Sequence, residues 1–341
     1  MKPTSGQNRP TPAATKLVIC VWHPFTLWRP PKELAAELRK QWPKMTVVHL
    51  PNYDLLPHEL PHADIFIGFS IRQKQFSLAQ KLRWIHSTAS GVAQLTYPEL
   101  RNSGVVVTNA GGVHKIPMAE HTLGTLIALA RRFPDSLRAQ NKRRWAQQDL
   151  WDAKVRPREM KGSVLLFVGF GSIGQEVAKR AKPLGMKIWA VTRSGQDKSD
   201  LADRVFRANE LEKALREADF VVLAAPETND THHLMGAQQF ALMKPTAYLV
   251  NVARGSLVHE AALIDALKRN VIAGAAIDVA DTEPLPPRSP LWKADNLFVT
   301  PHVSSASEHL WERQTALIVE NLDRWFSGRE LLNQVDLNRG Y

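Results

Sequence analysis

An α/β architecture of two doubly wound parallel sheets is expected from this chain, on three observations. Short runs rich in β-branched and aromatic residues alternate with helical segments, and strands separated by helices imply parallel pairing with crossovers. The chain has 341 residues, long for a single core, so two domains are the natural division. Finally, the apolar run 164–168 leads straight into Gly169-Phe170-Gly171-Ser172-Ile173-Gly174, a strand–turn–helix signature.

The elements follow in order. Residues 17–22, 46–50, 64–69, 84–87 and 105–108 read as the strands of a first sheet. Residues 31–41 form a helix between the first two, with Leu34 and Leu38 on one face. A long apolar helix starts at Met118 and runs to about Phe133, with Pro117 as its first residue, where the missing N–H costs nothing. After a polar stretch, 138–161, a second sheet is expected from strands 164–169, 187–191, 220–224, 247–251, 274–278 and 297–300. A last helix, 307–326, ends before Gly328.

Composition excludes several classes. Hydrophobic and charged fractions of 44% and 23% are those of a soluble globular protein. A single cysteine, Cys20, excludes a disulfide framework and a cysteine-rich zinc site, and its apolar surroundings make it a core residue. A reducing, cytoplasmic setting fits best. No run approaches the roughly 18 apolar residues that span a bilayer, so no membrane partner is expected. Residues 1–16 are polar and lack the apolar core of a secretory signal; a disordered tail is expected there, with an organelle transit segment as the alternative. The net charge of +11 is spread along the chain without interleaved stacking aromatics, which argues for solvated helix faces rather than nucleic-acid binding.

The glycine-rich turn carries the first chemistry. Gly169 permits the tight turn, Gly171 lets the backbone approach a pyrophosphate, and Gly174 lets the helix pack on the sheet. The amides of Ser172 and Ile173 would meet the phosphates, favoured by the helix dipole. At the end of the next strand an NAD-preferring site usually has a carboxylate for the ribose hydroxyls. This chain has Thr192-Arg193-Ser194 there, offering a guanidinium fork and two hydroxyls to a 2′-phosphate. NADP(H) is therefore the expected cofactor, with NAD(H) also admitted. Arg193 stacking on the adenine of an unselective site is the alternative.

Arg254, Glu283 and His302 each follow a strand of the second sheet, so they share one edge. A 2-oxo acid needs a cation for its carboxylate and a proton donor for its developing alkoxide. Arg254 supplies the first and His302 the second. Glu283, bonded to the other ring nitrogen, would stabilise the imidazolium.

Taken together, Gly169–Gly174, the runs LVNVARG (249–255), AIDVADTEP (276–284), Pro290-Leu291-Trp292 and NLFVTPHVS (296–304), with STASGV (87–92) and NAGGVHKIPMAEH (109–121), resemble the D-isomer specific 2-hydroxyacid dehydrogenase family, in its glyoxylate/hydroxypyruvate reductase branch. The resemblance spans nearly the whole chain beyond residue 16. It implies a Rossmann NAD(P)-binding domain, 117–304 with its dimerisation helix and arm, inserted into a flavodoxin-like substrate domain made of 17–116 and 305–341. It implies that Arg254 binds substrate, that His302 is the acid/base with Glu283 as its partner, and that Ser90, Gly91 and Val92 offer amides to the substrate carboxylate. Asp278 would bind the nicotinamide carboxamide, with Val252 and Pro226 lining the cofactor, and a homodimer is implied. Ala93 and Ala280 depart from the usual Asp and aromatic of the family's loops, which puts the substrate's identity in doubt rather than the chemistry.

The function expected is reduction of a small 2-oxo acid, glyoxylate or hydroxypyruvate, to a D-2-hydroxy acid with no metal. Two alternatives stay open: a dinucleotide-sensing protein resembling corepressors of this fold, and a dehydrogenase of another small anion, phosphite or formate.

Overall fold

The computed structural model describes residues 11–340. It divides into two compact units, one His114–Ala306 and the other formed by the chain before and after it. The junctions expected from sequence were 116/117 and 304/305. Of the segment expected as a tail, residues 1–10 lie outside the described residues. The rest is ordered: Pro12–Ala14 form a 3-10 turn, Thr15 is buried, and the first strand starts at Lys16.

The terminal unit holds a five-stranded sheet of β1 (Lys16–Cys20), β2 (Thr46–Leu50), β3 (Ile65–Gly68), β4 (Trp84–Ser87) and β5 (Val106–Thr108) in the order β2-β1-β3-β4-β5. All its pairs are parallel. Parallel sheets are buried on both faces, and alternate residues of β1 accordingly enter different cores: Val18 and Cys20 one, Leu17 and Ile19 the other. The second core is completed from the far end of the sequence. Helix Leu310–Phe326 buries Leu310, Gln314, Ile318, Asn321, Leu322 and Trp325, a spacing that makes one buried, mostly apolar stripe. Trp325 stacks on Trp84 with ring centroids 5.5 Å apart.

The inserted unit holds β6 (Val164–Val168), β7 (Lys187–Thr192), β8 (Arg204–Arg207), β9 (Phe220–Leu223), β10 (Tyr248–Asn251), β11 (Gly274–Ile277) and β12 (Leu297–Val299) in the order β12-β11-β10-β9-β6-β7-β8. The strand order reverses between β6 and β9, the switch point where doubly wound sheets bind ligands. Leu165 and Phe167 feed one core, Leu166 and Val168 the other. The fold class is as expected, with β8 added at one edge.

The long helix differs from expectation. It starts at Lys115 and ends at Ala130, so Pro117 is its third residue. The physical allowance is the same, because first-turn amides have no intrahelical acceptor. Arg132 then takes a left-handed φ of 60°. Its side chain is tied to Asp135 at 2.6 Å and to the Val155 carbonyl at 2.8 Å, and a separate helix runs Phe133–Asn141. No helix among the described residues is long and apolar enough to cross a membrane.

The terminal unit depends on its distant helix. Trp325→Ala, which empties a buried indole site, is expected to cost about 3–5 kcal/mol. Chemical denaturation checks this; a loss under about 1 kcal/mol would show that the C-terminal helix is dispensable to that core.

Candidate active site

The inserted unit brings the ends of β6, β7, β9, β10, β11 and β12 to one edge of its sheet. At β6, Gly169 has a φ of 87°, and a Cβ there would stand 2.6 Å from the Ala225 backbone; only glycine fits. At Gly171 a Cβ would meet nothing within 4 Å, so the space over this turn is open to a ligand. Gly174 packs 3.1 Å, by the same measure, from the Phe170 ring. Helix Ser172–Ala181 begins here with no side-chain cap. Among the described residues, the amides of Gly171, Ser172, Ile173 and Gly174 have no acceptor, which suits a pyrophosphate.

At β7, the Thr192 hydroxyl accepts from the Gln196 amide at 3.1 Å and donates to the Gln196 carbonyl at 3.2 Å. Its proton is therefore directed into the turn rather than outward, and Arg193 and Ser194 are the exposed residues. The nearest acid in sequence is turned away. Asp197 accepts from the amides of Ser199, Leu201 and Ala202 at 2.8–2.9 Å. Burial alone would raise its pKa, but these bonds and one from the Ser199 hydroxyl hold the carboxyl below its ordinary value. The end of β7 thus carries Thr192, Arg193 and Ser194 where an NAD-type site has a carboxylate.

At β9, the Pro226 carbonyl accepts from the Thr231 hydroxyl at 2.8 Å, closing the loop in which Pro226 is exposed. At β10, Asn251 folds the next turn: its side chain accepts from the Ala253 amide at 3.0 Å and donates to the Arg254 carbonyl at 2.8 Å. Val252 is buried beneath this turn and Arg254 stands exposed at its tip. A Cβ on Gly255 would lie 2.0 Å from the Ala280 carbonyl carbon. Glycine here lets the β10 loop press against the loop that carries Glu283.

Beyond β11, the Glu283 carboxylate accepts from the Ala280 amide at 3.0 Å and meets Nδ1 of His302 at 2.6 Å. Burial favours its neutral form, but the bond from His302, the Ala280 amide and the charges of His302 and Arg254 outweigh that and lower its pKa. His302 takes a left-handed φ of 52°, a costly conformation for a non-glycine residue. Its amide is held by the carbonyl of Asp278 at 2.8 Å. The Asp278 side chain, 3% exposed, accepts from Thr300 Oγ1 at 2.6 Å and from the amides of Val303 and Ser304 at 2.9 Å. Asp278 thus grips the chain on both sides of His302.

Two members of this network were absent from the sequence reading. Thr300, once its proton goes to Asp278, accepts from Nε2 of His121 at 3.2 Å. Burial lowers the His121 pKa, and the Asp278 charge only partly offsets it. The sole signal in the sequence was the position of His121 inside a motif already used for the resemblance.

The terminal unit carries a separate candidate feature. The Ser90 hydroxyl donates to the Ala110 carbonyl at 3.1 Å, and Asn109 donates to the Ser90 carbonyl at 2.7 Å. Among the described residues, the amides of Ser90, Gly91 and Val92 have no acceptor. Cys20 is a core residue, as expected: it donates to the Asn52 carbonyl at 3.3 Å, and burial pushes its thiol up to about 12.

A dinucleotide turn at the switch point, with a cation and a carboxylate–imidazole pair on the same sheet edge, defines a pyridine-nucleotide oxidoreductase. Residues 123–304 match the model of the D-isomer specific 2-hydroxyacid dehydrogenase NAD-binding domain. A glyoxylate reductase of Korarchaeum cryptofilum is 37% identical over 270 residues, 76% of this chain and 78% of that one. Among solved structures, a family member from Aeromonas salmonicida aligns over 95% of this chain and 99% of its own, at 31% identity and a TM-score of 0.80. One from Xanthobacter autotrophicus, in complex with NADPH and MES, covers 96% of this chain and 100% of its own at 28% identity and a TM-score of 0.81. The chain belongs to the D-isomer specific 2-hydroxyacid dehydrogenase family. It is an NAD(P)-dependent oxidoreductase acting between 2-oxo and 2-hydroxy acids.

The Glu283–His302 pair has a pH signature. The Glu283 carboxyl is held below its ordinary value, so its stabilising effect is complete above that value and is lost as pH falls through the lowered one. The stability difference between wild type and Glu283→Gln should narrow as pH drops from about 6 to about 3. A difference that stays constant over that range would show that the carboxylate's charge contributes nothing.

Proposed function

We propose that the protein is an NADPH-preferring reductase of small 2-oxo acids, with glyoxylate or hydroxypyruvate as substrate and a D-2-hydroxy acid as product. The observation that carries this reading is the 2.6 Å contact between Glu283 and Nδ1 of His302, on the same sheet edge as Arg254 and the glycine-rich turn.

In this reading Arg254 holds the substrate carboxylate and polarises the carbonyl. The amides of Ser90, Gly91 and Val92, without an acceptor among the described residues, are the terminal unit's own substrate-binding groups. His302 passes a proton from Nε2 to the developing alkoxide oxygen, a contribution of roughly 10²–10⁴-fold. Glu283 fixes the ring through Nδ1 and stabilises the imidazolium. The dinucleotide, when bound, supplies the hydride. Gly169, Gly171, Ser172, Ile173 and Gly174 would hold its pyrophosphate; Val252 and Pro226 would line the cofactor, and Asp278 would take the carboxamide with the remaining capacity of its side-chain oxygens. NADP over NAD is supported by Arg193, with Ser194 beside it, and by the inward turn of Asp197; the Thr192 hydroxyl serves the turn instead. The reading fits relatives named glyoxylate reductase and a neighbour with NADPH bound.

A homodimer is part of the same proposal. It is supported by the apolar residues left exposed along the arm after the long helix: Phe133, Leu137, Trp145 and Trp151. In an aqueous monomer so many large apolar groups in one segment signal an interface.

His302→Ala is expected to lose at least about 10²-fold in kcat while NADPH binding, followed by fluorescence, stays intact. Near-wild-type turnover in the folded variant would remove the acid/base assignment. For Arg254→Ala the expected result is a raised KM together with a lowered kcat; unchanged kinetics would rule out the anchor role.

A further inference from the structure

The edge strand β8 was not expected from sequence, and it brings a second arginine to the cofactor edge. β7 and β8 are paired in parallel with Thr192 opposite Arg207, so both strands end side by side. The turn after β7 is closed by the Thr192 hydroxyl on Gln196 and passes through Gly195 at a φ of 69°. A Cβ on Gly195 would stand 2.5 Å from Cγ of Arg207 and 3.3 Å from its Nε. Arg207 therefore crosses the turn immediately beyond Arg193 and Ser194, over the one residue type that leaves it room.

The two arginines of β8 are used differently. Arg204 is occupied: its guanidinium lies 5.0 Å from the Trp189 ring centroid, 4.6 Å from that of Phe206, and 4.0 Å from Glu217. Arg207 is exposed, and among the described residues its guanidinium makes no ion pair and donates no hydrogen bond. Two acids of the neighbouring turns bond to backbone instead. Glu210 accepts from the Arg207 amide at 2.9 Å, and Asp197 is committed to its own turn.

We propose that Arg207 acts with Arg193 as the binding site for the 2′-phosphate of NADP(H), the pair of guanidiniums setting cofactor choice. The proposal rests on the NADPH reading above. A dianion here meets two cations, one on the turn and one laid across it. Arg193 was legible beside the glycine-rich turn; Arg207, 14 positions further on, is brought there only by strand pairing.

The test is calorimetric titration of 2′,5′-ADP and of 5′-AMP into wild type, Arg207→Gln and Arg207→Lys. These ligands differ only in the 2′-phosphate, and no turnover is needed. Wild type should bind 2′,5′-ADP the more tightly. Arg207→Gln should weaken 2′,5′-ADP about tenfold, the worth of one charge-assisted hydrogen bond, and leave 5′-AMP within about twofold. Arg207→Lys, which keeps the charge without the fork, should fall between. If Arg207→Gln changes neither ligand, or weakens both equally, the role of Arg207 is overturned while the NADPH reading stands. If wild type itself fails to prefer 2′,5′-ADP, the NADPH reading falls and the role of Arg207 with it.

Discussion

The parallel run of the seven-stranded sheet is the constraint on which the inserted unit depends. Parallel strands need a crossover between each pair, so every carboxyl end emerges at the same edge, however far apart the residues lie in sequence. Gly171, Arg193, Arg254, Glu283 and His302 come from the ends of five different strands, and Arg207 from a sixth. Cores on both faces of the sheet hold those ends in place, leaving the loops free to carry chemistry.

Within that frame one buried carboxylate does most of the local positioning. Asp278 accepts two amides and a hydroxyl from the segment 300–304. Three bonds to a charged acceptor, each worth about 1.5–3 kcal/mol, offset the left-handed backbone of His302, a cost on the order of 1–3 kcal/mol. The acid that touches the His302 ring is a different one. Asp278 holds the backbone and Glu283 the ring, so the two carboxylates divide position from polarity. Gly255 makes the division workable, because any side chain there would collide with the Ala280 backbone and part the Arg254 loop from the Glu283 loop.

Much of this was legible in the sequence, and the exceptions share a cause. The glycine-rich turn, the trio and the buried strands are local patterns, and six of the seven inserted strands were placed from apolar runs. β8 was missed because Arg204-Val205-Phe206-Arg207 is short, charged at both ends and on a sheet edge, so it lacks a buried strand's composition. The break at Arg131-Arg132 was missed because a left-handed arginine, held by Asp135 and Val155, replaces the glycine that would announce it. The bond between His121 and Thr300 joins residues 179 apart, and no local pattern encodes such a contact. Thr192 shows the converse limit: its place at the strand end was read correctly, but its hydroxyl faces the turn.

Reduction of 2-oxo acids at this edge of the sheet is the property from which all the assigned roles follow. Initial rates of NADPH and NADH oxidation with glyoxylate, hydroxypyruvate, pyruvate and an aryl-pyruvate address that directly. Turnover of glyoxylate or hydroxypyruvate that is faster with NADPH is the predicted result. Tight NADPH binding without oxidation by any of the four would contradict it, and would point to a dinucleotide sensor or to a different anionic substrate.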